Sequence, residues 1–298
     1  QEFNYDHYLV EQLVGTSESV NAYVECCGRY LGSNKTALIW EGKNGESAQW
    51  TFEQLADASG KLANYFTSRG LKAGDCVAGL LPRTPELLIT ILATWRMGAI
   101  YQPLFTAFES KAIEHRVNTA QTQFIVTNEE QRPKLNGVAV PHILTVHQTQ
   151  TLSHQDDDFW TELSQQSESF EPVMQTFEDD FLMMFTSGTT GLAKSVPVPL
   201  KAVLAFKGYM THAVDLREED SFWNLADPGW AYGLYYGITG PLSLGHSIIM
   251  DERAFSVDNA VQVIQKYKVS NLTGSPTAFR MFFGFKEKFD PSIKAHLR

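Results

Sequence analysis

Residues 185–196 read "FTSGTTGLAKSV". After Phe185 come six consecutive Thr, Ser or Gly residues, and one cation, Lys194, follows shortly after. The apolar run "FLMMF" (181–185), of strand length, leads straight into them. Such a loop suits a polyphosphate. Glycine lets backbone N–H groups approach phosphate oxygens without a clashing Cβ. Hydroxyls add donors, and Lys194 adds a point charge. A Ser/Thr/Gly surface turn is the plainer alternative, but it leaves the buried strand before the loop and the lysine after it unexplained.

A second phosphate motif competes for the same residues. Gly188 to Ser195 reads G-x-x-x-x-A-K-S, one residue from the pattern G-x-x-x-x-G-K-[ST]. In that motif the Lys and Ser/Thr open a helix whose N-terminus holds the phosphates. Here Val196, Pro197, Val198 and Pro199 follow. Two prolines at alternate positions would each cost about 3 kcal/mol in a helix interior. The segment after Lys194 is therefore predicted to be extended.

Composition bounds the rest. The 298 residues are 43% hydrophobic and 19% charged, ordinary for a globular protein. The length suits about two domains or one large one. The formal charge of −10, with no Lys/Arg run, argues against nucleic acid or an anionic membrane as partner. Cys26, Cys27 and Cys76 make no disulfide framework and suggest a reducing compartment. The acidic start "QEFNYDHYLVEQLV" lacks the features of a signal peptide. The longest apolar stretch, near 87–95, is about half a membrane span. The expected localisation is cytoplasmic.

Local signals then alternate along the chain. Thr51 and Gln54 form a capping box ahead of a helix whose apolar face carries Phe52, Leu55, Leu62 and Phe66, closed by Gly70. "CVAGLL" (76–81) reads as a buried strand. Thr84 is predicted to cap a helix with Pro85 first, its apolar face formed by Leu87, Leu88, Ile91, Leu92 and Trp95. A strand (99–102), a helix (109–120) and the strands "FIVT" (124–127) and "HILTV" (142–146) follow. Residues 147–180 break the pattern, and Asp156-Asp157-Asp158 reads as a solvated loop. After 185, a helix is expected at 200–214, strands at 222–225, 247–250 and 269–273, and helices at 256–267 and after Pro276. The fold class is α/β, with mixed and parallel sheets covered by helices on both faces. No nucleophile elbow, zinc-binding helix or metal-spaced histidine set is found.

"FTSGTTGLAKSV" resembles the phosphate loop of the adenylate-forming (AMP-binding) superfamily: acyl-CoA synthetases, peptide-synthetase adenylation domains and luciferases. Ala193 stands where that loop usually has Pro, and Ser195 where it has Gly. "WTFEQL" (50–55), "GLKAGDCVAGLLPRTPELLITILATWRMGAIYQPL" (70–104) and "TGSPTAFR" (273–280) extend the resemblance over nearly the whole chain. "PLFTAFESKAIEHRV" (103–117) and "ADPGWAYGLYYGITGPLSLG" (226–245) are most similar to acetyl-, propionyl- and medium-chain acyl-CoA synthetases.

The resemblance implies a two-step ligase. A carboxylate attacks the α-phosphate of Mg-ATP to give an acyl-adenylate, and coenzyme A then takes the acyl group. Positioning and charge neutralisation carry such steps. By matching position, Thr186, Ser187, Gly188, Thr189, Thr190, Gly191 and Lys194 would hold the β- and γ-phosphates. Trp230, Ala231, Tyr232 and Gly233 would line the acyl pocket. Without the motif, Trp230 reads as a core aromatic and Asp227 as a turn former. ATP, Mg²⁺ and coenzyme A are the implied cofactors and a small carboxylate the partner. No residue of this chain is assigned to metal. The family's adenine loop, its Mg²⁺-binding Glu, its ribose-binding Asp and its C-terminal lid domain with the catalytic Lys have no counterpart in 199–298. The chain thus reads as an N-terminal piece, inactive alone, with catalytic residues expected beyond Arg298. The family fold implies one sheet subdomain over 71–212 and a second, truncated one over 20–70 plus 213–298. An unpaired edge in the second leaves a homo-oligomer open. A carrier-loading adenylation domain and a non-catalytic nucleotide-binding module are the alternatives.

Overall fold

The computed structural model describes residues 11–147, 156–186, 192–285, 287, 291–294 and 296–298. In chain order the strands are β1 (Thr36–Glu41), β2 (Ser47–Thr51), β3 (Cys76–Leu80), β4 (Ile100–Pro103), β5 (Phe124–Asn128), β6 (His142–Val146), β7 (Asp157–Asp158), β8 (Asp180–Thr186), β9 (Lys194–Pro199), β10 (Phe222–Asn224), β11 (Ile248–Asp251) and β12 (Asn271–Thr273). A seven-stranded sheet runs β7-β6-β5-β3-β4-β8-β9. Its pairs are parallel except β8–β9, which is antiparallel. Smaller sheets join β11-β1-β2 and β10-β12. Helices Phe52–Ser68, Pro85–Arg96 and Ser110–Ala120 connect or flank the strands, as the α/β reading expects.

Every residue of β3 and β5 is buried, which is why these central parallel strands read as continuous apolar runs rather than as alternating ones. Parallel pairing also brings the carboxyl ends of β3, β4, β5, β6 and β8 to one edge of the sheet. The chain steps from β3 to β4 on one side and returns to β5 on the other, so the strand order reverses around β3. In such sheets, ligands bind beyond the carboxyl ends at that reversal.

The capping box forms as read. Thr51 Oγ1 accepts from Gln54 N at 3.2 Å, and Thr51 N donates to Gln54 Oε1 at 2.9 Å. Phe52, Leu55, Leu62 and Phe66 are fully buried, and Gly70 sits at φ +88° past the helix end.

The next helix departs from expectation in two ways. Thr84 holds the N-cap position with Pro85 first, but its side chain makes no capping bond. The N–H of Leu87, which a cap would take, bonds instead to the Thr84 carbonyl at 3.1 Å. Nor is this helix amphipathic, since nearly all its residues are buried. Thr90 and Thr94 avoid orphaned hydroxyls by donating to the carbonyls of Glu86 and Thr90, each at 2.7 Å.

β1 and β2 have no counterpart among the sequence expectations. β2 is largely polar, and β1 finds its parallel partner β11 some 200 residues further along the chain.

The expected solvated loop at Asp156–Asp158 is instead bonded into the fold. Asp156 takes the guanidinium of Arg132 and the hydroxyl of Thr145, the latter at 2.9 Å. Asp157 accepts from Tyr65 and pairs with Arg69, both at 2.6 Å. Asp158 caps helix Phe159–Ser164 through Thr161 N at 2.9 Å. Most of these partners are remote in sequence, so a run of three acids carries no local sign of them. Among the described residues, no helix is long and apolar enough to cross a membrane.

Candidate functional site

β8 and β9 form a hairpin in which Thr186 faces Lys194, Phe185 faces Ser195 and Met184 faces Val196. Lys194 and Ser195 therefore belong to an extended strand. The helix that the competing phosphate motif demands is absent, as the prolines required. β9 is an edge strand, so Pro197 and Pro199 sit where one side of the backbone has no ladder to feed.

Of the loop candidates, Ser187, Gly188, Thr189, Thr190 and Gly191 lie outside the described residues. Both roots are defined. Thr186 and Lys194 are exposed, and Leu192 is 73% exposed. Among the described residues Lys194 has no ion-pair partner.

The carboxyl-side root has an anchor the sequence reading missed. His115, on helix Ser110–Ala120, bonds through Nε2 to the Ala193 carbonyl at 2.7 Å. A carbonyl only accepts, so Nε2 carries the proton. The only available signal was a lone histidine in an ordinary helical pattern, and nothing local joins it to a loop 78 residues away.

The second motif begins with a tight turn. Asp227 Oδ1 accepts from Gly229 N at 2.7 Å, and Trp230 N returns to the Asp227 carbonyl at 3.0 Å. Burial raises the Asp227 carboxyl, against the opposing pull of Arg83 and the Gly229 N–H. Two glycines allow close approach. A Cβ on Gly233 would fall 2.2 Å from the Asp227 carbonyl oxygen, and one on Gly229 would fall 2.8 Å from Phe105 Cα. After Trp230 the chain makes helix Ala231–Leu234, widens to a π-turn over Tyr235–Thr239, and resumes as Gly240–Ser243. Such π-turns recur at functional sites.

Trp230 is 45% exposed, so the core-aromatic reading fails. Its ring lies 5.4 Å from Phe105 and 5.7 Å from Phe108. The Arg116 guanidinium covers Phe108 at 4.1 Å and reaches Phe185 at 5.7 Å. Trp230, Phe108, Arg116 and Phe185 thus connect the second motif to the root of the hairpin, and they do so through packing. Tyr232 does not join that row. Its ring sits 5.3 Å from Tyr236, and burial beside Tyr209 pushes its hydroxyl up to about 12. Beneath the motif, Asn224 Oδ1 accepts from Ala226 N at 2.7 Å, while its buried Nδ2 has no partner.

The chain is similar to known proteins over most of its length. The model of the family described as "AMP-binding enzyme" matches residues 29–297. Acetyl-coenzyme A synthetase of Chlorobaculum tepidum is 30% identical over 295 residues, covering 89% of this chain and 44% of that protein. The Deinococcus radiodurans protein of the same name is 31% identical over 291 residues, covering 90% and 44%. The crystal structure of Brucella canis acyl-CoA synthetase superposes with a TM-score of 0.92 at 47% identity, over 95% of this chain and 52% of that one. The chain spans about half the length of the curated relatives it matches. With the family model matching almost end to end and the strand–loop–strand hairpin in place, the chain belongs to the AMP-binding enzyme family.

Proposed function

We propose that this chain is the phosphate- and acyl-binding portion of an enzyme that activates a short- or medium-chain carboxylic acid. It would do so through an acyl-adenylate to the coenzyme A thioester, as an AMP-forming acid–thiol ligase. The observation that carries this reading is Lys194, exposed and without an ion-pair partner among the described residues, on an extended strand that follows a sequence of small and hydroxyl residues. That layout suits a terminal phosphate group and offers no helix N-terminus for it.

ATP, when bound, would supply the phosphoanhydride that the carboxylate opens, with Mg²⁺ and coenzyme A as the other participants. Lys194 would neutralise phosphate charge, and Thr186 to Gly191 would donate hydrogen bonds. His115 would hold the loop's carboxyl-side root. Trp230, Ala231 and Gly233 would border the acyl group, with Tyr232 setting the shape of the wall behind them. No residue of this chain is proposed as a metal ligand.

We also propose the division into a unit over 71–212 and another over 20–70 plus 213–298. Strand membership supports it, because β3 to β9 share one sheet while β1, β2 and β10 to β12 lie in others. The three cysteines are free and buried, which supports a reducing, cytoplasmic setting.

The test is carboxylate-dependent exchange of pyrophosphate into ATP by the complete gene product with acetate, propionate, butyrate and octanoate. Exchange with at least one acid, falling about a hundredfold or more in Lys194→Ala, is expected. Exchange with none of them, or full activity in the variant, would overturn the reading.

A further inference from the structure

The seven-stranded sheet carries a second concavity, whose lining includes no residue of the β8–β9 hairpin. It opens beyond the carboxyl ends of β3, β5 and β6, where Leu81, Asn128 and His147 line it. The N-terminus of helix Pro85–Arg96 and the β1–β2 turn close its sides. Its volume is about 290 Å³, near the lower end for small-molecule sites. It therefore occupies the strand-end position favoured for ligands, and β4 lies between its nearest strand, β3, and β8.

Three kinds of group face it. Trp40, Trp50 and Trp160 supply indoles, the last two stacked with centroids 6.3 Å apart at 21°. Glu46, Glu86 and Glu252 supply carboxylates. Lys43 also lines the cavity, but its ammonium is held by Glu130 at 2.7 Å. Among the described lining residues no cation is left free to balance these carboxylates. Burial raises the Glu252 carboxyl, and Glu46 and Glu86 add to that rise against Lys43.

An independent observation comes from His147. Its side chain is only 4% exposed, and Nδ1 meets Glu129 Oε1 at 3.0 Å. A carboxylate accepts, so Nδ1 carries a proton, and in that tautomer Nε2 is the ring's acceptor. Among the described residues that buried Nε2 has no hydrogen-bond partner. Buried polar atoms are rarely left unpaired without a reason. Here the unpaired atom belongs to a residue lining the cavity.

We infer that this cavity is a binding site for a small organic cation, a primary ammonium carried on an aromatic or apolar body. The indoles would take the body and attract the charge over their faces. His147 Nε2 would accept from the ammonium, and Glu86 and Glu252 would compensate it. Neither an anion nor a metal ion uses all three features, because the carboxylates repel the first and the indoles offer nothing to the second.

The probe is phenethylammonium, with the neutral 2-phenylethanol as its shape-matched control. Both are titrated into the protein by calorimetry and by tryptophan fluorescence. Saturable ammonium binding about tenfold or more tighter than the alcohol is expected. Glu252→Gln and Trp160→Leu should each weaken it roughly fivefold or more. Trp160 lies on the cavity rim and is partly exposed, so its variant should fold. Equal affinity for ammonium and alcohol, or no saturation by either, would overturn the inference. Unchanged affinity in both variants would also overturn it, by moving any binding elsewhere. None of these readouts involves ATP or a carboxylic acid, so the result stands apart from the proposed ligase activity.

Discussion

The β8–β9 hairpin and the segment 226–243 meet through Phe185, Arg116, Phe108 and Trp230, but they are held in different ways. The hairpin is paired residue against residue within 20 positions, from Asp180 to Pro199. The segment has no strand partner. It is kept in shape by glycines pressed onto backbone and by rings from distant parts of the chain, such as Phe206 stacked on Tyr235 at 4.3 Å. A motif built from local pairing tolerates substitution at its edge. One built from close approach does not.

Gly233→Ala is the most severe way to probe that difference. Its Cβ would have to occupy space 2.2 Å from the Asp227 carbonyl oxygen. A loss of roughly 2–3 kcal/mol in urea denaturation is expected, and a loss near zero would mean the turn is looser than the packing indicates.

His115→Ala tests a long-range tie at the hairpin's carboxyl-side root. Removing the bond to the Ala193 carbonyl should cost about 1 kcal/mol, because that carbonyl can still reach water. A larger cost would make the hairpin as dependent on tertiary contacts as its neighbour.

Asp227→Asn gives a smaller effect of opposite sign. Burial raises the folded carboxyl above its ordinary value, so the folded state binds more protons than the unfolded one in the interval between the two. Stability is then lost as pH rises through that interval, and the cost remains above it. Asparagine keeps the acceptor for Gly229 N without the charge. The variant should exceed the wild type at pH 7 by under about 1 kcal/mol. The gap should narrow towards pH 4 in denaturant titrations across the range.

Pro197→Thr with Pro199→Thr should move stability least, within about 0.5 kcal/mol. It should instead raise self-association by restoring donors on an open edge, read as concentration-dependent light scattering.

The same division explains what could be read in advance. The capping box at Thr51, the strands read at 76–81 and 124–127 and the extended course after Lys194 rest on neighbours along the chain, and each forms to within a residue of its expected bounds. Thr84 failed as a side-chain cap because a backbone carbonyl competed for the same N–H. Asp156 to Asp158 were misread because Arg132, Tyr65 and Arg69 carry no sign of them. His115 and Arg116 sit in a segment whose likeness to relatives was visible, yet what each touches was not.

Periodicity, turn residues and proline positions act over a few residues, so the amino-acid sequence alone determined the α/β class, most element positions and an extended segment rather than a helix after Lys194. Tertiary structure alone decided which strands are neighbours, that Trp230 is exposed beside Phe105 and Phe108, and that His147 lines a cavity with a nitrogen left unpaired among the described residues. Those facts depend on residues tens to hundreds of positions apart coming within a few ångströms, a proximity that no local pattern encodes.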